Sequence, residues 1–491
     1  MDHWMKLGVW TGFFILSLII GKMLFRKLQN TLTLREIPSP TTSPILGMAY
    51  NLIKESQEEL FRKYRELSKE FRPIYRVSLF HIDIVNLVNA VDIEQVLSNP
   101  NHSKTNTYDF LQGWLGSGLL TSSGEKWQLR RKLLAPAFDF NMLQDFLLVF
   151  NDETSKLVEK LTENLNESGT DISTYINHFT LHCVGETAMG WDWLDEGVLN
   201  DYRQNLKRMG QIILERVKNV WYRMNFIYTW TNLAYEEKRV ILSLHRFTDT
   251  IIRRRLQRKG SVIERKRLSL LDILLKQKEE GTNLSHEDIR EEIDTFLFKG
   301  YETTTMALTM LLLLLANHQH IQESVIKEIE AVVGKKLRPL TSEELRRLEY
   351  LECCIKETLR LFPSVAVISR IAGEEYTTST GFKVPKGTTL LMHIYDLHRD
   401  PSVFPYPDKF NPDRFKSENS SKRHPFSYIP FSEGPRNCIG EKFALWELKT
   451  AACGILQNFR LLPVDDLVDL KFYTDFVLRT SSPVRIKFIK I

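Results

Sequence analysis

The apolar and polar positions of this chain fall into three stretches of different character. Residues Leu7–Gly21 carry no charge; Lys22 interrupts the run and Met23, Leu24 and Phe25 resume it. A membrane-crossing helix needs roughly 20 mostly apolar residues, so residues 1–27 are expected to form an anchor in which Lys22 snorkels to the interface. Arg26 and Lys27 follow, which puts the rest of the chain on the cytosolic side. Residues 28–44 come next. Pro38, Pro40 and Pro44 fall close together there and predict a stiff, extended linker. From residue 45 to 491 the pattern continues without a second linker or an internal repeat, which predicts one large domain.

Within that domain the spacing is mostly helical. Apolar residues recur near every 3.6 positions over Leu60–Glu70, Asn141–Glu167, Asp201–Trp221 and Asn232–Arg258. Short runs that read as strands are few: Ile74–Leu79, Ile84–Val88, Thr388–Met392 and Val484–Ile489. The expected fold is mainly α with a small β portion. The segment Trp221–Trp230 is aromatic and cationic, which suits either a membrane-surface patch or a buried connection between helices.

Two further helices carry candidate chemistry. Ser285 with Asp288 resembles a capping box, opening a pattern that runs to Asn317. Its middle reads Lys299-Gly300-Tyr301-Glu302-Thr303-Thr304-Thr305. A glycine and three successive threonines are poor helix formers, so this stretch marks either a site where the helix widens or a glycine packed against a crossing helix. The second helix, Glu441–Asn458, follows Phe431–Gly440 (FSEGPRNCIG). Cys438 therefore lies at a helix start, where the helix dipole and free N–H groups favour a thiolate. A lone cysteine there is also a common small core residue.

Composition changes this picture little. The chain has 491 residues, 43% hydrophobic and 26% charged, with net charge +5. No basic block suggests nucleic acid as a partner. The five cysteines, Cys183, Cys353, Cys354, Cys438 and Cys453, show no C-x-x-C spacing. They fit a reducing compartment better than a disulfide framework or a zinc site.

The segment Phe431-x-x-Gly434-x-Arg436-x-Cys438-x-Gly440 resembles the haem-binding signature of the cytochrome P-450 superfamily at every defining position. The resemblance implies that the Cys438 thiolate is the axial iron ligand of haem b, with Phe431 packed beside the sulfur and Gly440 in the cofactor site. Gly300-x-Glu302-Thr303 resembles the family's oxygen-activation motif. Thr303 would then hydrogen-bond bound dioxygen, and Glu302 would help relay protons. Trp127 and Arg131 resemble the W-x-x-x-R element. By resemblance they contact the haem propionates together with Arg370 and Arg436. Glu357, Arg360 and Arg414 match structural positions. Substrate-facing candidates are Tyr108–Trp114, Val365–Ile368 and Thr474–Val477.

The segments GLLTSSGEKW, HRDPSVFPYPDKFNPDRF and PFSEGPRNCIGEKFA are most similar to family 4. Many members of that branch carry, just before the motif glycine, a glutamate that forms an ester with the haem; here that residue is Lys299. The expectation is therefore a non-covalent haem. Lys299 would lean away along its stem, or meet a propionate or an anionic substrate group. The implied function is an endoplasmic-reticulum monooxygenase acting on apolar substrates. NADPH-cytochrome P-450 reductase would be its electron donor and cytochrome b5 a possible second one. The alternatives are a haem-thiolate isomerase or dehydratase of peroxides and a haem-based binding protein without turnover.

Overall fold

Capping chemistry sets where the helices begin in a computed structural model that describes residues 17–18, 21–22, 25, 28–29, 32–41, 47–48, 54–79, 82–166, 168–191, 196–257, 268–336 and 338–491. The first long helix, α1 (Gln57–Glu70), opens on a capping box between Ser56 and Glu59. Asn89 caps α2 (Ala90–Ser98). After α3 (Gly124–Leu134), Asp139 accepts from Met142 N at 2.9 Å and starts α4 (Phe140–Glu163). That helix stops at Glu163, four residues short of the end its periodicity suggested. Helix α5 (Ile172–Met189) ends on left-handed Gly190. Helix α6 (Glu196–Lys218) starts earlier than its apolar pattern implied. Helices α7 (Asn232–Gln257) and α8 (Leu270–Glu279) follow.

The long helix α9 (His286–Asn317) opens on the expected Ser285–Asp288 capping box. From Tyr301 to Ala316 only Thr303 is not buried, so it is the central helix of the molecule. An apolar circumference of this kind belongs inside a core. Helix α5 lies along it. Helices α10 (Gln319–Val332), α11 (Glu349–Leu361) and α12 (Glu441–Asn458) complete the core on its C-terminal half, together with α4. A second apolar cluster joins α5, α6, α7 and α8 to the N-terminal half of α9.

The strands are short and peripheral, as the pattern suggested. The largest sheet has the order β1 (Ile74–Leu79), β2 (Ile82–Leu87), β7 (Thr389–His393), β4 (Val367–Ile371). Only β2 and β7 run parallel, with Ile84 opposite Thr389. Strands β3 (Thr170–Asp171), β11 (Arg485–Lys490) and β8 (Phe459–Pro463) form a second sheet. Two hairpins remain: β5 (Tyr376–Thr377) with β6 (Lys383–Val384), and β9 (Phe472–Thr474) with β10 (Leu478–Thr480).

Most of residues 1–27 and part of the 28–44 linker lie outside the described residues. Among those described, no single helix is long and apolar enough to cross a membrane.

One buried ion pair braces the C-terminal half. Arg360 and Glu357 on α11 are both fully enclosed and meet through two hydrogen bonds of 2.7 and 2.8 Å. The remaining Arg360 donors reach the carbonyls of His398, Pro407 and Lys409 at 2.9, 2.7 and 3.2 Å. Glu357 also accepts from Asn411 N at 2.8 Å and lies 3.4 Å from Arg414. The expected trio is thus assembled as a clamp between α11 and the 398–414 segment. Arg360→Ala leaves a buried carboxylate and three carbonyls without their partner. It should cost about 3–5 kcal/mol, read by denaturant unfolding of the purified protein, with haem content falling in parallel. Arg360→Lys should rescue little, because an ammonium cannot reproduce the planar fork.

Candidate functional site

A tightly turned loop delivers Cys438 to a cavity beside α9. Ser432 and Gly434 both adopt left-handed backbone, with φ of 62° and 78°. A Cβ on Gly434 would stand 2.5 Å from the Leu97 carbonyl oxygen, so only glycine fits between this loop and α2. Within the turn, Cys438 N donates to Phe431 O at 2.8 Å. The chain enters α12 at Glu441, with Gly440 as its N-cap residue. Cys438 is open to the cavity, and its recessed position, poorly solvated within the surrounding protein, raises the thiol pKa. The Gly440 N–H, then the Arg131 and Lys299 cations, pull it back down, while Glu441 pushes it further up.

The cavity measures about 290 Å³. It brings together Thr303, Trp127, Arg131, Arg370, Phe431, Arg436, Cys438 and Gly440 from four separate parts of the chain. Of the substrate-facing candidates, Tyr108, Val365 and Ile368 line it, whereas residues 474–477 do not. Trp114 instead packs on Phe298, centroids 4.9 Å apart.

Its cationic wall lacks acids. Arg131 donates to the Asn437 carbonyl and side-chain oxygens at 2.8 and 2.7 Å. Arg436 donates to Ser122 O at 2.6 Å and lies 4.4 Å from the centre of the Trp127 ring. Arg370 donates to Ser369 O at 2.8 Å. Lys104, which no motif announced, adds a fourth cation to the lining and donates to Leu120 O. Among the described residues none of the four has a carboxylate within 4 Å. The mutual cost is visible in their basicity. Burial, and then Arg370, hold Arg436 down to about 10. Burial, and then Arg436, Arg370 and Lys299, push Lys104 well below its usual value. Buried cations demand counter-charge. A flat apolar cofactor with two carboxylates and a thiolate-bound iron matches this donor set, so the residues present fit haem.

Of the predicted catalytic and cofactor-binding residues, Glu302 alone is not brought to the cavity. It lies one residue from Thr303, about 100° around the helix, and is buried. Its Oε2 accepts from Arg479 at 2.6 Å and its Oε1 from the Tyr301 hydroxyl at 3.0 Å. Arg479 also binds Asp475, at 2.8 Å. The Thr303 hydroxyl donates to Lys299 O at 2.7 Å, and the Thr303 carbonyl accepts from Ser364 Oγ at 2.7 Å. Lys299 is in the cavity wall, its Nζ 4.5 Å from the Phe298 ring centre. Burial holds its pKa down to about 8, against the attraction of Glu302, Asp475 and Cys438. No carboxylate lies within 4 Å of it among the described residues.

Helix α9 does not widen at its glycine. It runs unbroken from His286 to Asn317, and the threonine hydroxyls back-bond to carbonyls one turn earlier, Thr304 to Gly300 O at 2.9 Å. A Cβ at Gly300 would stand 2.3 Å from Val184 Cγ2. The packing explanation therefore accounts for the glycine: α5 and α9 touch there.

A family model described as Cytochrome P450 matches residues 37–488. Curated relatives include cytochrome P450 4V2 of Homo sapiens, 38% identical over 509 aligned positions that cover 99% of this chain and 97% of the relative. Cytochrome P450 4c3 of Drosophila melanogaster is 37% identical over 503 positions, covering 97% and 94%. Cytochrome P450 4V2 of Mus musculus is 39% identical over 472 positions, covering 92% and 90%.

The close approach of α5 and α9 gives a direct expectation. Gly300→Ala should destabilise the protein by about 1–3 kcal/mol, the usual cost of overpacking, measured by denaturant unfolding. Adding Val184→Ala should return part of that loss. Two additive losses would show that the Val184 contact does not set the requirement for glycine.

Proposed function

We propose, from the premise that this chain belongs to the cytochrome P450 family and is a cytochrome P450 monooxygenase, that it inserts one atom of O2 into an apolar fatty acid, hormone or foreign compound at the endoplasmic-reticulum membrane. The observation that carries the reading is the meeting of Cys438, Thr303 and a ring of acid-free cations at one cavity. A substrate R–H, O2, two electrons and two protons give R–OH and water. The electrons come from NADPH through a separate cytochrome P-450 reductase, with cytochrome b5 as a second donor, since no nicotinamide or flavin fingerprint is evident in the chain.

Haem b is the family's cofactor, and here it would be held without a covalent bond to the protein, since Lys299 offers no carboxylate for an ester. Cys438 would ligate its iron, with Phe431 beside the sulfur and Gly440 N–H turned to it. Arg131, Arg370, Arg436, Lys104 and Trp127 would take the propionates. Bound there, the haem supplies dioxygen activation, helped by electron donation from the thiolate. The chain's own residues supply order and protons. The Lys299 carbonyl orients the Thr303 hydroxyl, a proton-bearing group of α9 at the cavity. Glu302 is the adjacent acid. It serves a relay by exchanging Arg479 for water that leads to Thr303. Val365, Ile368 and Tyr108 shape an apolar substrate space, and the Lys299 ammonium offers a partner to an anionic head group.

Membrane attachment rests on the uncharged Leu7–Gly21 run and on a second surface. Trp221, Phe226 and Trp230 are 59%, 72% and 90% exposed, a combination that suits the interfacial zone of a bilayer. With the anchor before it, the catalytic domain would face the cytosol.

Two variants test the assignment. Cys438→Ala should abolish the thiolate-type band of the reduced carbon-monoxide complex; a mutant that keeps the wild-type band would overturn the ligand assignment. Thr303→Ala should keep haem and substrate binding but release peroxide, lowering product formed per NADPH oxidised. An unchanged ratio would remove Thr303 from proton delivery.

A further inference from the structure

Away from the cavity, on the outer side of α5, one group of three side chains among the described residues brings imidazole and carboxylate ligand atoms within 4.8 Å of one another: His178, His182 and Glu196. The two histidines are one turn apart on α5, so they share a face, and their rings stack with centroids 4.2 Å apart and planes 17° from parallel. Glu196 opens α6 opposite them. Its Oε1 contacts His178 Nε2 and lies 3.7 Å from His182 Nε2.

The hydrogen bonding here is inconsistent without a further group. Lys160, on α4, places its ammonium 3.0 Å from the same His178 Nε2 that contacts Glu196. An ammonium only donates and an ionised carboxylate only accepts. His178 Nε2 would have to accept from one and donate to the other, which a single ring nitrogen cannot do. His182 Nε2 is buried with no hydrogen-bond partner at all, an arrangement that ordinarily costs stability. A cation at the point where these atoms converge removes both conflicts, since two imidazole lone pairs and a carboxylate oxygen then face one positive centre.

We infer that His178, His182 and Glu196 form a binding site for a single zinc-class divalent ion. Two nitrogens and one oxygen suit zinc rather than calcium or magnesium, which take oxygen ligands. Water completes the tetrahedron. Arg203 holds the other carboxylate oxygen, Oε2, at 3.1 Å, leaving Oε1 for the ion and fixing its direction. Lys160 is exposed and swings into solvent when the ion binds. The ion would pin the start of α6 to α5. Helix α5 in turn carries Val184 against Gly300, and its Thr180 hydroxyl lies 2.6 Å from that of Thr305. Occupancy would thus stiffen the support behind the cavity wall.

The test uses the purified full-length holoenzyme, stripped with a chelator and dialysed against zinc alone. One equivalent should bind. Zinc-edge X-ray absorption should show only nitrogen and oxygen neighbours at about 2.0–2.1 Å. His182→Gln and Glu196→Gln should each weaken binding by more than about 100-fold, since loss of an outer-sphere partner alone costs 10–100-fold, while the reduced carbon-monoxide band stays unchanged. Absence of stoichiometric zinc, sulfur neighbours at about 2.3 Å, or wild-type affinity in both variants would overturn the site. Should either variant lose its haem band, Lys160→Met decides. Removing the competing ammonium must tighten zinc binding, and unchanged or weaker binding refutes the inference.

Discussion

Four cations facing one space without a carboxylate among them, Arg370 buried and Lys104, Arg131 and Arg436 half-buried, are the constraint around which this molecule is arranged. Lys104 comes from the turn after α2, Arg131 from α3, Arg370 from β4 and Arg436 from the cysteine loop. Nothing in their local sequences draws these segments together. Each cation is partly satisfied by a carbonyl, but carbonyl dipoles do not neutralise charge in a poorly solvated wall. The arrangement is favourable when a dianionic group fills the space, and binding to the folded state alone then stabilises the fold. Cofactor loading and folding of this half of the molecule would then be coupled by charge as well as by the ligation proposed for Cys438.

The parts of the site that were legible in the sequence are those whose chemistry is local. The Ser285–Asp288 cap, the cysteine at a helix start and the Glu441–Asn458 helix involve residues within a few positions of one another, and each stands where the pattern put it. Lys104, Val184 and Arg479 were not legible. They act on residues far away in the chain, and Arg479 meets Glu302 across 177 positions. The threonine-rich stretch of α9 was ambiguous for a related reason. Propensity marks Gly300 and its neighbours as weak helix, yet burial on all sides and the Val184 contact dictate a regular helix with a missing side chain. The helix ends that moved, at Glu163 and Glu196, lie in polar segments where apolar periodicity carries no information.

Charge is distributed unevenly along the middle of α9. Glu302 and Asp475 share Arg479, whereas Lys299, one turn before Glu302, stands over Phe298 with no carboxylate within 4 Å among the described residues. The four charges sum to zero, so the region is neutral as a whole while its cavity face is positive. This polarity is local to α9 and the β9–β10 hairpin. It places the only basic nitrogen of the motif segment 299–305 at the wall that substrates would meet.

The Arg479–Glu302 bond joins the last hairpin of the chain to the middle of its central helix. Its consequence concerns recombination. The hairpin is a compact, near-terminal unit of the kind that is exchanged readily between homologous sequences, by evolution or by an engineer seeking a new specificity. In this chain such an exchange would also replace the cation that anchors the motif acid. A graft that did not preserve an arginine at 479 would leave Glu302 buried with only the Tyr301 hydroxyl as its partner among these contacts.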